Sequence, residues 1–285
     1  MRWMRREDLM KVIEWNINHR YGHSKKKMPK WIKDVIDEEK ATIIVLTETS
    51  FKIPNWEDEY RNLFDRNKYY VFCSNNTAVG NNEVTIAIEK DCFNIEYIKS
   101  YLSVGHLYPD HLEVHCIHKI TKKKFVVVGV RIHAMNISNQ QKREEFNSVL
   151  ESVKYDENVM IVGDFNNYRR GFDDSYWCLS KIDELATKEG FSMYTPQGGS
   201  IYKDNDGAYS FPEDHIFIKG QLNINTCKYE RSLFTNRDTT VYKWKTDFQK
   251  YRGKDKNGEY LYDNIDDPFP DHAIIEAGIH LPPAY

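Results

Sequence analysis

The sequence predicts an α/β fold, a four-layer sandwich in which two mixed, mainly antiparallel sheets pack face to face with helices outside. Three observations lead there. A β-α-β pattern opens the chain, the middle is dense in short β-branched and aromatic runs, and the second half resembles the first in its order of elements.

Residues 11–17 (KVIEWNI) form a β-branched and aromatic run that ends in polar residues, as expected of a strand delivering side chains to one edge. Pro29 stands at a first helical position, and Trp31, Ile32, Val35 and Ile36 recur at helical spacing before Asp37, Glu38 and Glu39, which predicts an amphipathic helix. Residues 42–46 (TIIVL) read as a buried strand whose end carries Thr47, Glu48 and Thr49. Further strands are expected near 69–73, 84–89, 95–99, 112–120 and 125–133, joined by polar turns that favour antiparallel pairing. Ser138 and Gln141 make a capping-box pattern, and Phe146, Val149, Leu150 and Val153 form the apolar stripe of the helix that follows. A strand at 159–162, a helix at 179–189 and strands near 213–218, 222–228 and 273–277 complete the chain.

A length of 285 residues suits one domain spanning 1–285, with 1–9 an upstream extension and 231–270 a polar, aromatic-studded insertion. Hydrophobic residues at 40% and aromatics at 14% supply a core and exclude disorder. The net charge of -3 gives no overall basic field, so contact with nucleic acid would rest on local clusters such as Lys25-Lys26-Lys27, Lys122-Lys123-Lys124 and Arg169-Arg170. Five scattered cysteines with no CxxC spacing argue against a disulfide framework and a zinc site. With no apolar signal or membrane-length run, the expectation is a cytoplasmic protein with no membrane association and no obligate protein partner.

Acidic, amide and imidazole side chains recur at strand ends along the whole chain. Phosphodiester hydrolysis needs neutralised phosphate oxygens, an activated water and a protonated leaving oxygen, which carboxylates, a hard cation and histidines supply together. Asp164 and Asn166 alternate in IVGDFNN (161–167) and so share one face, while Phe165 points to the other and can anchor the loop in the core. His115 and His118, three apart on one strand, face opposite sides and are expected to be structural.

The ordered segments WNIN (15–18), TET (47–49), RIHA (131–134), GDFNN (163–167), EDHIFI (213–218) and PDHAII (270–275) resemble the signature of the endonuclease/exonuclease/phosphatase family, over residues 11–278. The resemblance implies that Glu48 binds metal, with Asn16 positioning metal or phosphate and Asn18 beside it on the substrate side. It further implies that Asp164 and Asn166 contact phosphate and the attacking water or metal. Asp271 is implied as a metal ligand, and His272 as general base or phosphate ligand oriented by Asp214. Oxygen ligands suit magnesium or manganese. For His215, where the family more often has an aromatic or aliphatic residue, core packing is expected.

His133 matches the second catalytic histidine of the deoxyribonuclease branch, and Glu83 resembles the glutamate paired with it there. The expectation is therefore a metal-dependent DNA endonuclease working by in-line attack of activated water between Glu83–His133 and Asp214–His272. The alternatives are a phosphatase or phosphodiesterase on a small or lipid phosphoester, and an RNA exonuclease, because a histidine at this strand end recurs in those branches. His19 and His23, in the loop after WNIN, lie where the family contacts substrate.

Overall fold

The computed structural model describes residues 9–18, 30–49, 62–74, 83–100, 110–134, 137–167, 176–200, 202–203, 208–209, 212–230 and 272–283. The first half runs β1 (Leu9–Asn16), α1 (Lys30–Glu39), β2 (Ile43–Thr49), β3 (Tyr69–Cys73), β4 (Glu83–Glu89), β5 (Phe93–Ser100), β6 (Asp110–His118) and β7 (Lys124–Arg131). The second half runs α2 (Asn139–Ser152), β8 (Val159–Asp164), α3 (Leu179–Lys188), β9 (Ser192–Tyr194), β10 (Tyr202–Lys203), β11 (Ala208–Tyr209), β12 (Asp214–Lys219), β13 (Asn223–Glu230) and β14 (Ile274–His280).

One sheet has the order β13-β14-β1-β2-β4-β3 and the other β5-β6-β7-β8-β12-β9, with β10 and β11 as a separate short pair. The β1–β2 and β7–β8 neighbours are parallel, and every other pair is antiparallel. Each sheet is thus mixed, with one parallel pair at its centre.

Alternation along the strands sorts the core into three bodies. Val12, Ile43, Val45, Ile86, Val114, Val127, Val162 and Ile216 fill the space between the sheets. Ile13, Trp15, Ile44 and Leu46 face the other way, against Ile32, Val35 and Ile36 of α1. Val128, Ile161 and Phe217 do the same against Phe146, Val149 and Leu150 of α2 and Ile182 of α3. The result is the four-layer α-β-β-α sandwich. The sheets approach closely at Gly129, where a Cβ would lie 2.5 Å from Val84 and 2.9 Å from Val45.

The Ser138 capping box forms as the sequence implies: Gln141 N–H donates to Ser138 Oγ at 3.2 Å and Ser138 N–H to Gln141 Oε1 at 2.8 Å. The first strand begins at Leu9, within the stretch read as an extension, because Leu9 pairs with His280. Residues 1–8 and the 231–270 insertion lie outside the described residues. Strand β9 was not legible: its three residues offer too little alternation to stand out.

Candidate active site

The site lies at the rim where β1, β2, β7 and β8 end and β12 and β14 begin. Strand alternation decides which side chains enter it. Val12 faces the inter-sheet space, so Glu14 and Asn16 follow it there. Met160 and Val162 place Asp164 likewise, Ile216 and Ile218 place Asp214, and Phe125 and Val127 place Arg131.

Glu48 is an exception with a visible cause. It has the parity of Ile44 and Leu46, which face α1. The ladder between β2 and β4 slips between Leu46 and Thr49, and Glu48 adopts φ 52, in the left-handed region. The slip re-aims its carboxylate across the sandwich, at a backbone cost of about 1–2 kcal/mol. Asn18 (φ 50) and Asn166 (φ 45) share that conformation. Strain collected at three residues of one rim is the pattern of a functional site.

Asp164 is the hub. Its Oδ1 accepts the Asn166 backbone N–H at 2.8 Å, and its Oδ2 accepts Asn16 Nδ2 at 3.0 Å and Asn166 Nδ2 at 2.9 Å. Burial raises this carboxyl to about 6, with His272 and Arg131 pulling down and Asp214 and Glu48 pushing up. Asn166 also donates from Nδ2 to Ile132 O at 2.7 Å. Both of its amide hydrogens are therefore committed, and its role is to lock Asp164 to the end of β7. The expected donation from this amide to phosphate oxygens needs one of those bonds to break. Asn18 closes the adjacent turn by donating its backbone N–H to Asn16 Oδ1 at 2.9 Å.

His272 Nδ1 donates to Asp214 Oδ2 at 2.8 Å, the pairing read from the sequence. Both partners are braced: Trp15 Nε1 donates to His272 O at 3.2 Å, and the Tyr229 hydroxyl to Asp214 O at 2.7 Å. With Nδ1 as donor, the neutral ring carries its lone pair on Nε2.

His133 is paired differently from expectation. Its Nδ1 donates to Glu145 Oε1 at 2.5 Å, and its backbone N–H to Glu145 Oε2 at 3.1 Å. The carboxylate behind this histidine is Glu145, on α2, in place of Glu83. Val84, Ile86 and Ile88 face the other sheet, so Glu83 has the opposite parity and starts from the face of its sheet turned away from His133. The buried Glu83 instead lies where β2 and β4 rejoin, its backbone carbonyl accepting Thr49 Oγ1 at 2.8 Å.

Five residues to which the sequence reading gave no role complete the cluster, although Arg131 and Glu213 open two of the segments quoted above. Arg131, 3% exposed, donates from Nε at 3.0 Å and Nη2 at 2.6 Å to Glu48 Oε1, and its Nε lies 3.8 Å from Asp164 Oδ2. Lys142 donates to Asn166 O at 2.7 Å, and burial lowers its pKa. Glu14 accepts Thr47 Oγ1 at 3.1 Å, and burial, then Asp214 and Asp164, hold its carboxyl well above the usual range. Burial, then Asp164, pushes Glu213 up to about 9. Glu145 is the fifth. Helical spacing was the signal for two of them: Lys142 lies four residues before Phe146, and Glu145 one before it, on the buried face of α2.

Outside this cluster, His215 is held in the core by Thr195 and Asn167, as its position suggested. His115 turns outward to Glu113, while His118 packs on Phe93. Asp271, His19 and His23 lie outside the described residues. All five cysteines are free thiols. Among the described residues, no helix is long and apolar enough to cross a membrane.

Two mixed six-stranded sheets packed face to face between helices define the class of fold, and solved structures share that fold. An endonuclease/exonuclease/phosphatase protein from Bacteroides vulgatus matches at TM-score 0.64 and 12% identity, over 96% of this chain and 99% of that one. Zebrafish (D. rerio) TDP2 complexed with a single-strand DNA product matches at TM-score 0.62 and 12% identity, over 96% and 99%. A mannosyl-6-phosphatase from Bacteroides thetaiotaomicron matches at TM-score 0.64 and 13% identity, over 95% and 100%. No family sequence model matches the chain, and no curated protein matches it in sequence.

Proposed function

We propose that this chain is a divalent-metal-dependent phosphodiester hydrolase acting on nucleic acid, with DNA as the first substrate to test. The observation that carries the reading is the convergence of Asn16 and Asn166 on Asp164 beside the Asp214–His272 pair, from four separate strand ends. The TDP2 neighbour, bound to single-strand DNA product, supports a nucleic-acid substrate. The mannosyl-6-phosphatase neighbour supports the alternative, a small phosphoester.

The donor set suits a hard cation. Glu14, Glu48, Asp164, Glu213 and Asp214 set five carboxyl groups against the cations of Arg131 and Lys142, and Asp214 Oδ1 is buried without a hydrogen-bond partner among the described residues. Those residues do not by themselves gather three His, Cys, Asp or Glu ligands, and Asp271, the further ligand expected, lies outside them. Glu48 and Asn16, with Asp271, would hold magnesium or manganese through oxygen. A bound cation supplies positive charge for the phosphate oxygens.

His272, braced by Asp214, would take the proton of the attacking water, and His133, braced by Glu145, would give a proton to the leaving oxygen. Asp164, held by three hydrogen bonds, would orient the water for in-line attack. Purified protein incubated with plasmid, single-stranded DNA, RNA and small phosphoesters, each with magnesium or chelator, tests the reading. Magnesium-dependent cleavage of DNA is expected. Turnover of phosphomonoesters alone would give the phosphatase reading, and full activity in excess chelator would remove the metal.

A further inference from the structure

Arg131 stands where the proposed cation needs negative charge. Both its Nε and its Nη2 point to the same oxygen of Glu48, at 3.0 and 2.6 Å. Arg131 is 3% exposed and Glu48 4%, so water screens the contact little. The arginine is a permanent feature of the rim. Its register on β7 puts it opposite Asp164 on β8, its parity points it between the sheets, and its guanidinium stays charged at every working pH.

We infer that Arg131 competes with the divalent cation for Glu48, so that this site binds its metal less tightly than its carboxylates alone would. This rests on the reading of Glu48 as a metal ligand. Two observations favour competition over a merely orienting role. The ladder slip and φ 52 already turn the Glu48 side chain toward the rim, so the arginine is not needed to bring it there. Both guanidinium bonds also end on one oxygen, which neutralises the charge that Glu48 has to offer a cation. A cation sharing that carboxylate would sit within a few ångströms of a fixed positive charge.

The test is direct manganese binding to the intact protein without substrate, read from the electron paramagnetic resonance signal of free Mn2+ and confirmed by calorimetry. Arg131→Met should bind Mn2+ roughly 10-fold or more tightly than wild type, since one unit charge is removed from a poorly screened site. Arg131→Lys should lie between the two, because an ammonium retains the charge but loses the two-bond fork. If Arg131→Met does not fold, the tightening in Arg131→Lys decides. Affinity equal to or weaker than wild type in the folded arginine variants overturns the competition. Glu48→Gln separates the two levels: weakened Mn2+ binding there, with the arginine variants unchanged, rejects only the role of Arg131. Unchanged binding in Glu48→Gln rejects Glu48 as a metal ligand, and the competition with it.

Discussion

His133 at the end of β7 is bound twice by Glu145 of α2, through Nδ1 at 2.5 Å and through its backbone N–H at 3.1 Å. The helix covering the sheet thereby fixes both the ring and the chain of a candidate acid. Glu145→Gln keeps the shape and removes the charge that favours the imidazolium. The upper limb of the pH–rate profile should move to lower pH and turnover should fall. Glu83→Gln should leave that limb in place, since Glu83 starts from the opposite face of its sheet. A shift with Glu83→Gln as large as with Glu145→Gln would return the pairing to Glu83.

The two histidines are expected to serve one transition state from opposite sides. His133→Ala and His272→Ala should each lower turnover by roughly 100-fold or more while substrate binding survives. The double variant should lose far less than the product of the single losses, as groups acting together do. Near wild-type cleavage by His133→Ala, with His272→Ala inactive, would leave a single-histidine mechanism.

Gly163 precedes the hub aspartate because nothing larger fits. A Cβ there would lie 1.8 Å from Val130 O, inside the parallel β7–β8 ladder that aligns Arg131 with Asp164. Gly163→Ala should cost about 3 kcal/mol in urea unfolding. Gly190→Ala is the control: its φ is 82 but nothing lies within 4 Å, so only the left-handed strain of about 1 kcal/mol applies. Equal costs at the two positions would show that the ladder can open.

The layers were legible because periodicity and burial agree along β1, β2, β7 and β8, and the faces of Asp164 and Phe165 followed from alternation; Asn166 lies past the end of β8 and meets Asp164 through a left-handed turn (φ 45) that alternation did not foresee. The pairing of His272 with Asp214 came from the motif resemblance and holds in geometry. The partner of His133 was not legible, because Glu145 comes from a helix whose orientation over the sheet is a tertiary fact. Glu48 reaches the rim only through a ladder slip that no period reveals. Arg131 was hidden differently: a charged residue in a strand reads as solvated until the facing sheet shows it buried at 3% exposure.

His215 gives a pH signature separate from catalysis. It is fully buried on β12, within 2.9 Å of both Thr195 Oγ1 and Asn167 Oδ1. Burial lowers its pKa from 6.5 to about 4, with Asp214 opposing. The unfolded chain therefore binds a proton at this ring between about 6.5 and 4 that the folded chain does not, so stability is lost as pH falls through that window. At about 1.4 kcal/mol per pH unit, the loss amounts to roughly 3 kcal/mol. Glu14 and Glu213 act with the opposite sign: their raised folded values mean that stability falls as pH rises above the ordinary carboxylate range. Wild-type stability alone would mix the two effects, so the quantity to follow is the difference between wild type and His215→Gln in urea unfolding from pH 7 to pH 4. Wild type should lose the larger amount over that range, and parallel curves would show that His215 is protonated as easily in the fold as out of it.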